Sequence, residues 1–191
     1  MHEMVICMKL PNIKILEENN KILRTKSKPV TFPLPKEEIK LINDALDYLE
    51  MSQIETEREK YHLRAGMGLS LIQLGIPKRI FVISEELEEP GIFNRYIVIN
   101  PTVVSQSEEL IFVGEGEGCL SINRDVEGIV PRHARITIEA YDENGDLYTL
   151  RMREDMAVAF QHELDHLDGI LFVDRINKKN PYKNREIMRE I

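Results

Sequence analysis

The sequence predicts a single α+β domain built on antiparallel sheet, and three observations carry that prediction. Residues 135–152 alternate as a β-hairpin, two helical patterns stand far apart at residues 37–51 and 154–167, and a chain of 191 residues suits one hydrophobic core. Helices set apart from the strands, rather than alternating with them, argue against a parallel βαβ architecture. No internal repeat, low-complexity tract or long linker divides the chain.

Each element has a local reason. Residues 28–35 are a polar, Pro-containing entry, after which Ile39, Ile42, Ala45, Leu46 and Leu49 recur at spacings of three and four. That is one apolar helix face, with Glu37 and Glu38 in the first turn where negative charge suits the dipole. The charged run 55–60 reads as a solvated loop or helix end. Strands are expected at 79–83, at 96–99 before Pro101, and at 110–113, with the acidic stretch 85–91 as an exposed loop. In the hairpin, Ile136, Ile138 and Ala140 alternate with Thr137 and Glu139, and Asn144-Gly145 supplies the turn. The period becomes helical over 154–167, stacking Met156, Ala159, Phe160, Glu163 and Leu167, and Gly169 stands where a C-terminal cap belongs.

Charge and composition exclude several classes. With 25 Lys plus Arg against 33 Asp plus Glu, the formal charge is -8. A protein that binds nucleic acid by neutralising phosphates needs a concentrated basic face, so no direct DNA binding is expected. No apolar run approaches the roughly 18 residues that span a bilayer, and the N-terminus lacks the basic region and cleavage site of a secretory signal. The expectation is a cytoplasmic protein with no membrane contact. Its two cysteines, Cys7 and Cys119, are too few for a disulfide scaffold. Cys7 reads as a small core residue.

Chemistry concentrates in Gln161-His162-Glu163-Leu164-Asp165-His166, an HExxH pattern on the last helix. Residues four apart stack on one face, so both imidazoles can reach one metal ion, with Glu163 close enough to act on a bound water. A catalytic site usually takes three protein ligands and leaves a position open. The metzincin continuation fails, because its last ligand position is Phe172; Glu186 lies at a zincin-like distance but in a charged tail with no helical pattern. Cys119 is the other candidate, in Gly114-Glu115-Gly116-Glu117-Gly118-Cys119-Leu120-Ser121, and thiolate with two imidazoles suits Zn or Fe(II). Gly66-Met67-Gly68-Leu69-Ser70-Leu71-Ile72-Gln73 has neither the later Gly of a dinucleotide fingerprint nor a phosphate-loop Lys.

In order, GMGLSLIQ, EGCLS and QHELDH resemble the three motifs of the peptide deformylase family, usually GxGxAAxQ, EGCLS and QHExDH. The resemblance covers roughly residues 13–176, and the insertion 53–65 with the GEGEGCLS form is similar to the larger, insertion-bearing subgroup typical of Gram-positive bacteria. Motif one departs from the family, with Ser70 and Leu71 in place of two alanines, which bears on local packing and on the placement of Gln73.

The resemblance implies antiparallel sheets packed around a central HExxH-bearing helix, in one catalytic domain over 1–191 with an extension at 1–12 and a basic tail at 177–191. It implies Cys119, His162 and His166 as ligands of a metal, natively Fe(II) and replaceable by Zn, Ni or Co. The implied reaction removes the formyl group from N-formyl-methionyl nascent peptides and releases formate: water on the metal attacks the formyl carbon, with Glu163 as general base. Gln73 and the Leu120 N–H would stabilise the oxyanion, Gly68 would pair with the substrate backbone, and Met67, Val158 and Ala159 would line the methionine pocket. Glu117 is either an anchor for the motif loop or a solvated carboxylate. His2, His62 and His133 read as surface or structural residues. The tail holds five Lys/Arg and two Glu, and reads as a disordered terminus or as a contact near the ribosomal exit tunnel. Rival readings are a zinc endopeptidase and a protein that keeps its metal for structure alone.

Overall fold

The computed structural model describes residues 9–191, so the expectations for His2 and Cys7 fall outside the described residues. In chain order the helices are α1 (Lys36–Gln53), α2 (Glu55–Tyr61) and α3 (Glu154–Leu167). The strands are β1 (Gly68–Ser70), β2 (Ile80–Glu86), β3 (Phe93–Gln106), β4 (Leu110–Phe112), β5 (Arg132–His133), β6 (Arg135–Tyr141), β7 (Leu147–Arg153) and β8 (Arg189–Glu190). Among the described residues the main sheet runs β1-β2-β3-β6-β7, antiparallel throughout, and a smaller one runs β5-β4-β8. The predicted α+β class is the observed one, with one local departure: β8 lies parallel to β4.

The core forms because the main sheet is covered on both faces. Successive side chains of a strand point to opposite faces. In β2, Ile80 and Val82 join Ile42, Leu46 and Leu49 of α1, whereas Phe81 and Ile83 join Ala157, Phe160 and Leu167 of α3. A strand buried on both sides reads as a continuous apolar run, as Ile80-Phe81-Val82-Ile83 does. Phe160 sits edge-on to both Phe81 and Tyr96, with ring centroids 5.5 and 5.6 Å apart, and so sets the rotation of α3 about its axis.

Four elements differ from expectation. The acidic stretch expected as a loop over 85–91 gives Glu85 and Glu86 to β2, where they pair with Asn94 and Phe93 of β3. Residues 55–61 form a full helix, closed by His62 in the left-handed conformation. Strand β3 does not stop before Pro101: its pairing with β6 shifts register between Ile99 and Thr102, a bulge where Pro101 owes the ladder no donor. Asn100, at φ 50, holds that bulge with two 2.8 Å hydrogen bonds to the Val30 backbone. The basic tail is ordered, since β8 pairs with β4 and Met188 is buried with Phe112 and Ile129.

Helix α3 ends as the sequence indicates. The Ile170 N–H donates to the Asp165 carbonyl at 2.9 Å and the Gly169 N–H to the His166 carbonyl at 3.1 Å, the paired bonds of a Schellman cap. Gly169 has φ +74, and a Cβ there would lie 2.8 Å from the Arg24 main chain. Gly169→Ala is therefore expected to cost about 1–3 kcal/mol or more, read as a lower urea midpoint at unchanged slope; a wild-type midpoint would contradict it.

Candidate active site

The site is built on the face of α3 turned away from the sheet. His162 and His166, one turn apart, have ring centroids 5.0 Å apart. Cys119, from the loop after β4, brings its Sγ to 3.3 Å from His166 Nε2, and one ligand atom from each of the three residues lies within 4.8 Å of the other two. Cys119 and His166 are buried, and the His162 side chain is 11% exposed.

A buried ion network sets this geometry. The Arg132 guanidinium, 2% exposed on β5, donates to both Glu117 oxygens at 2.7 and 2.8 Å and to Asp165 at 2.6 Å. Arg175 also donates to Asp165. Glu117 in turn holds His162 Nδ1 at 3.0 Å, which leaves the opposite ring nitrogen for the Cys119 side. Glu117 is thus an anchor rather than a solvated carboxylate. Burial alone would raise its carboxyl, but the Arg132 and His162 hydrogen bonds win and hold it at about 2.

Strand β1 faces α3 through alternate residues. A Cβ on Gly68 would stand 2.6 Å from Glu163 Oε1, so only glycine allows this approach. Two residues on, Ser70 Oγ donates to Glu163 Oε2 at 2.7 Å. Motif one continues as a short 3₁₀ turn, Leu71–Leu74, and Leu71 is accommodated with no exposed surface in the α1 side of the core. Gln73 is held at both ends of its amide: Oε1 accepts from the Ser70 N–H at 2.9 Å, and Nε2 donates to Ser121 Oγ at 3.1 Å and lies 3.7 Å from Cys119 Sγ. Arg64, after α2, caps the cysteine loop by donating to the carbonyls of Leu120, Cys119 and Ile122 at 3.1, 3.0 and 2.7 Å.

These groups open on a cavity of about 420 Å³. Of the residues singled out in the sequence, Cys119, His162, Glu163, Gln73, Leu120, Gly68, Met67, Val158 and Ala159 line it, and His166 packs behind the wall. His62, His133 and Glu186 lie elsewhere; His133 Nδ1 sits 2.6 Å from the Ser107 carbonyl. Sequence reasoning did not find Arg64, the Ser70 hydroxyl or the bridging role of Arg132, because partners 15 to 93 residues away leave no periodic trace.

The donor set fits a divalent transition metal, since a thiolate and two imidazoles are the soft and borderline ligands such ions take. Local charge agrees. Burial opposes charge on His162, yet its hydrogen bonds to Cys119 and Glu117 and the nearby Glu163 carboxylate push it up to about 10. Groups that hold a proton on a buried imidazole would equally favour a metal cation in its place. Burial carries His166 well below the ordinary imidazole range, so that it stands as a neutral donor. Burial also raises Glu163, with the His162 charge and the Ser70 hydrogen bond offsetting part of the shift.

Comparison with known proteins decides the family: residues 13–182 match the model described as polypeptide deformylase. The chain belongs to that family. It is 46% identical over 171 residues to the peptide deformylase of Ligilactobacillus salivarius, covering 87% of this chain and 91% of that one. The crystal structure of peptide deformylase from Thermus thermophilus is similar at a TM-score of 0.70, with 33% identity and 86% of each chain covered. A plant peptide deformylase structure gives a TM-score of 0.73 at 28% identity, covering 92% of this chain and 86% of that one. The protein is accordingly a metal-dependent hydrolase, a deformylase that removes the formyl group from the N-terminal formyl-methionine of new polypeptides and releases formate.

Arg132→Met tests the buried network. It would take from the buried Glu117 its bidentate partner and from Asp165 one of its two arginines, and a loss of about 3–5 kcal/mol in unfolding free energy is expected, measured by denaturant titration; a change under about 1 kcal/mol would contradict it.

Proposed function

We propose that Cys119 Sγ and one ring nitrogen each from His162 and His166 hold the metal of this deformylase, natively Fe(II) with Zn, Ni or Co able to replace it. The observation that carries the reading is the convergence of these three donors beside Glu163 in one cavity. The bound metal supplies a Lewis acid that makes hydroxide accessible near neutral pH. Glu163 takes the proton of the attacking water as it adds to the formyl carbon, then passes that proton to the departing amine, leaving formate and a free N-terminal methionine. Negative charge gathering on the formyl oxygen is met by the Gln73 side-chain amide and the Leu120 N–H. The two-ended hold on Gln73 supports this role, because an immobile donor needs no reorganisation as charge develops.

The substrate's methionine side chain enters between Met67, Val158 and Ala159, an apolar wall suited to an unbranched thioether. Its backbone passes along Gly68. A related deformylase from Acinetobacter baumannii has a crystal structure with Met-Ala-Ser bound, which supports a peptide of this kind as the ligand. The cytoplasm is the compartment where such chains emerge; among the described residues no helix is long and apolar enough to cross a membrane. A contact near the ribosomal exit tunnel would fall to Lys178, Lys179 and Lys183, which are exposed, whereas Arg185 and Arg189 are engaged by Glu190, Glu109 and Glu154.

The purified protein, given a formyl-Met tripeptide, should release formate in step with its bound metal, and a chelator should abolish release. Cys119→Ala should lose both metal and activity, whereas Glu163→Gln should keep the metal and lose at least about 100-fold in rate. Metal-loaded protein that releases no formate would overturn the assignment. Full activity in Cys119→Ala would point to a zincin-type site, and a silent Glu163→Gln to a structural one.

A further inference from the structure

We infer that Ser70 is a positioning residue for the deformylation reaction, its hydroxyl locking the Glu163 carboxylate in the orientation the chemistry uses. The inference rests on the reading of Glu163 as the base. The two alternate residues of β1 that face α3 form a cradle: Gly68 supplies close approach on the Oε1 side, and Ser70 supplies a bond on the Oε2 side. Leu69 between them points into the opposite core.

The geometry is specific to this carboxylate. Ser70 Oγ lies 2.7 Å from Glu163 Oε2 and 3.2 Å from the main-chain carbonyl of the same residue, so one hydroxyl spans the side chain and backbone of Glu163. A carboxylate on a long side chain has several rotamers, and a donor fixed to its own backbone position selects one of them. The donor is itself immobile. Ser70 has no exposed surface, and its N–H is bonded to Gln73 Oε1 at 2.9 Å. Glu163 is 3% exposed, so its carboxylate is largely shielded from bulk water. With Oε2 held, Oε1 is the oxygen left against Gly68, on the cavity wall where the substrate backbone would pass.

This position carries alanine in the usual form of the motif, so the hydroxyl is an added group rather than a lost one. Because Ser70 contacts Glu163 and no lining position of the cavity is assigned to it, it should act on the chemical step and not on substrate affinity. Ser70→Ala removes the donor and fits the space. Ser70→Cys keeps a side-chain atom of similar size with a much weaker donor. In both, kcat for a formyl-Met tripeptide is expected to fall about tenfold with KM changed less than twofold, while metal content stays at the wild-type value and the thermal midpoint falls by no more than the loss of one buried hydrogen bond implies. Glu163→Gln is assayed alongside. If it retains activity, the base assignment fails and this inference with it. If it is inactive while Ser70→Ala keeps wild-type kcat, or loses through KM or metal content, the inference alone is overturned. A structure of Ser70→Ala with the Glu163 carboxylate unmoved would also overturn it.

Discussion

The arrangement of the site depends on one buried cation. Removing a guanidinium from water is costly, and the interior compensates only when acceptors surround it in good geometry. Arg132 meets this condition with a bidentate pair to Glu117 and a third bond to Asp165. Glu117 lies two residues before Cys119, and Asp165 one residue before His166. The same bonds that satisfy the cation therefore fix the cysteine loop against the end of α3. An apolar contact between loop and helix would tolerate a slip of an ångström, whereas a charge network loses hydrogen bonds at once. The small second sheet matters for the same reason, because β5 carries Arg132 and pairs with β4, which β8 supports from its other side.

A second constraint is the rotation of α3. Its apolar positions Ala157, Phe160 and Leu167 face the sheet, and Phe160 is wedged edge-on between Phe81 and Tyr96. At 3.6 residues per turn, that choice turns His162 and Glu163 toward the cavity and Asp165 toward Arg132. A shift of one residue would carry each side chain about 100° around the helix and separate all three from their partners. Core packing and site geometry are thus one problem with one solution.

Much of this was legible because it is local. The i, i+4 histidines, the helical face of α1, the alternation of the hairpin and the glycine after α3 all follow from a helix or strand period, and each stands where expected. Elements without such a signature were missed. Helix α2 has no apolar stripe, and it closes on a left-handed His62 and an i, i+3 pair between Lys60 and Glu57. The tail reads as solvated by its charges, but its structure comes from Met188 and from pairing with β4, more than 70 residues earlier. Pro101 suggests a strand end, yet Asn100 in the left-handed region converts it to a bulge. Arg64 and Ser70 look ordinary in sequence and gain meaning only from Leu120 and Glu163.

The charge inventory of the site explains why these partners belong together. Glu117, Asp165 and Glu163 crowd one region beside Cys119, with Arg132, the 42% exposed Arg175 and a protonated His162 as the cations among them. Carboxylates gathered in a water-excluded interior are unfavourable unless positive charge sits among them. On the proposed ligand assignment the metal would supply that charge in place of the His162 proton. Folding of the cysteine loop, order in the carboxylates and affinity for the metal would then be linked quantities. The Ser70 hydrogen bond fits the same scheme: a neutral donor steadies Glu163 without cancelling the negative charge that a base and a cation both require.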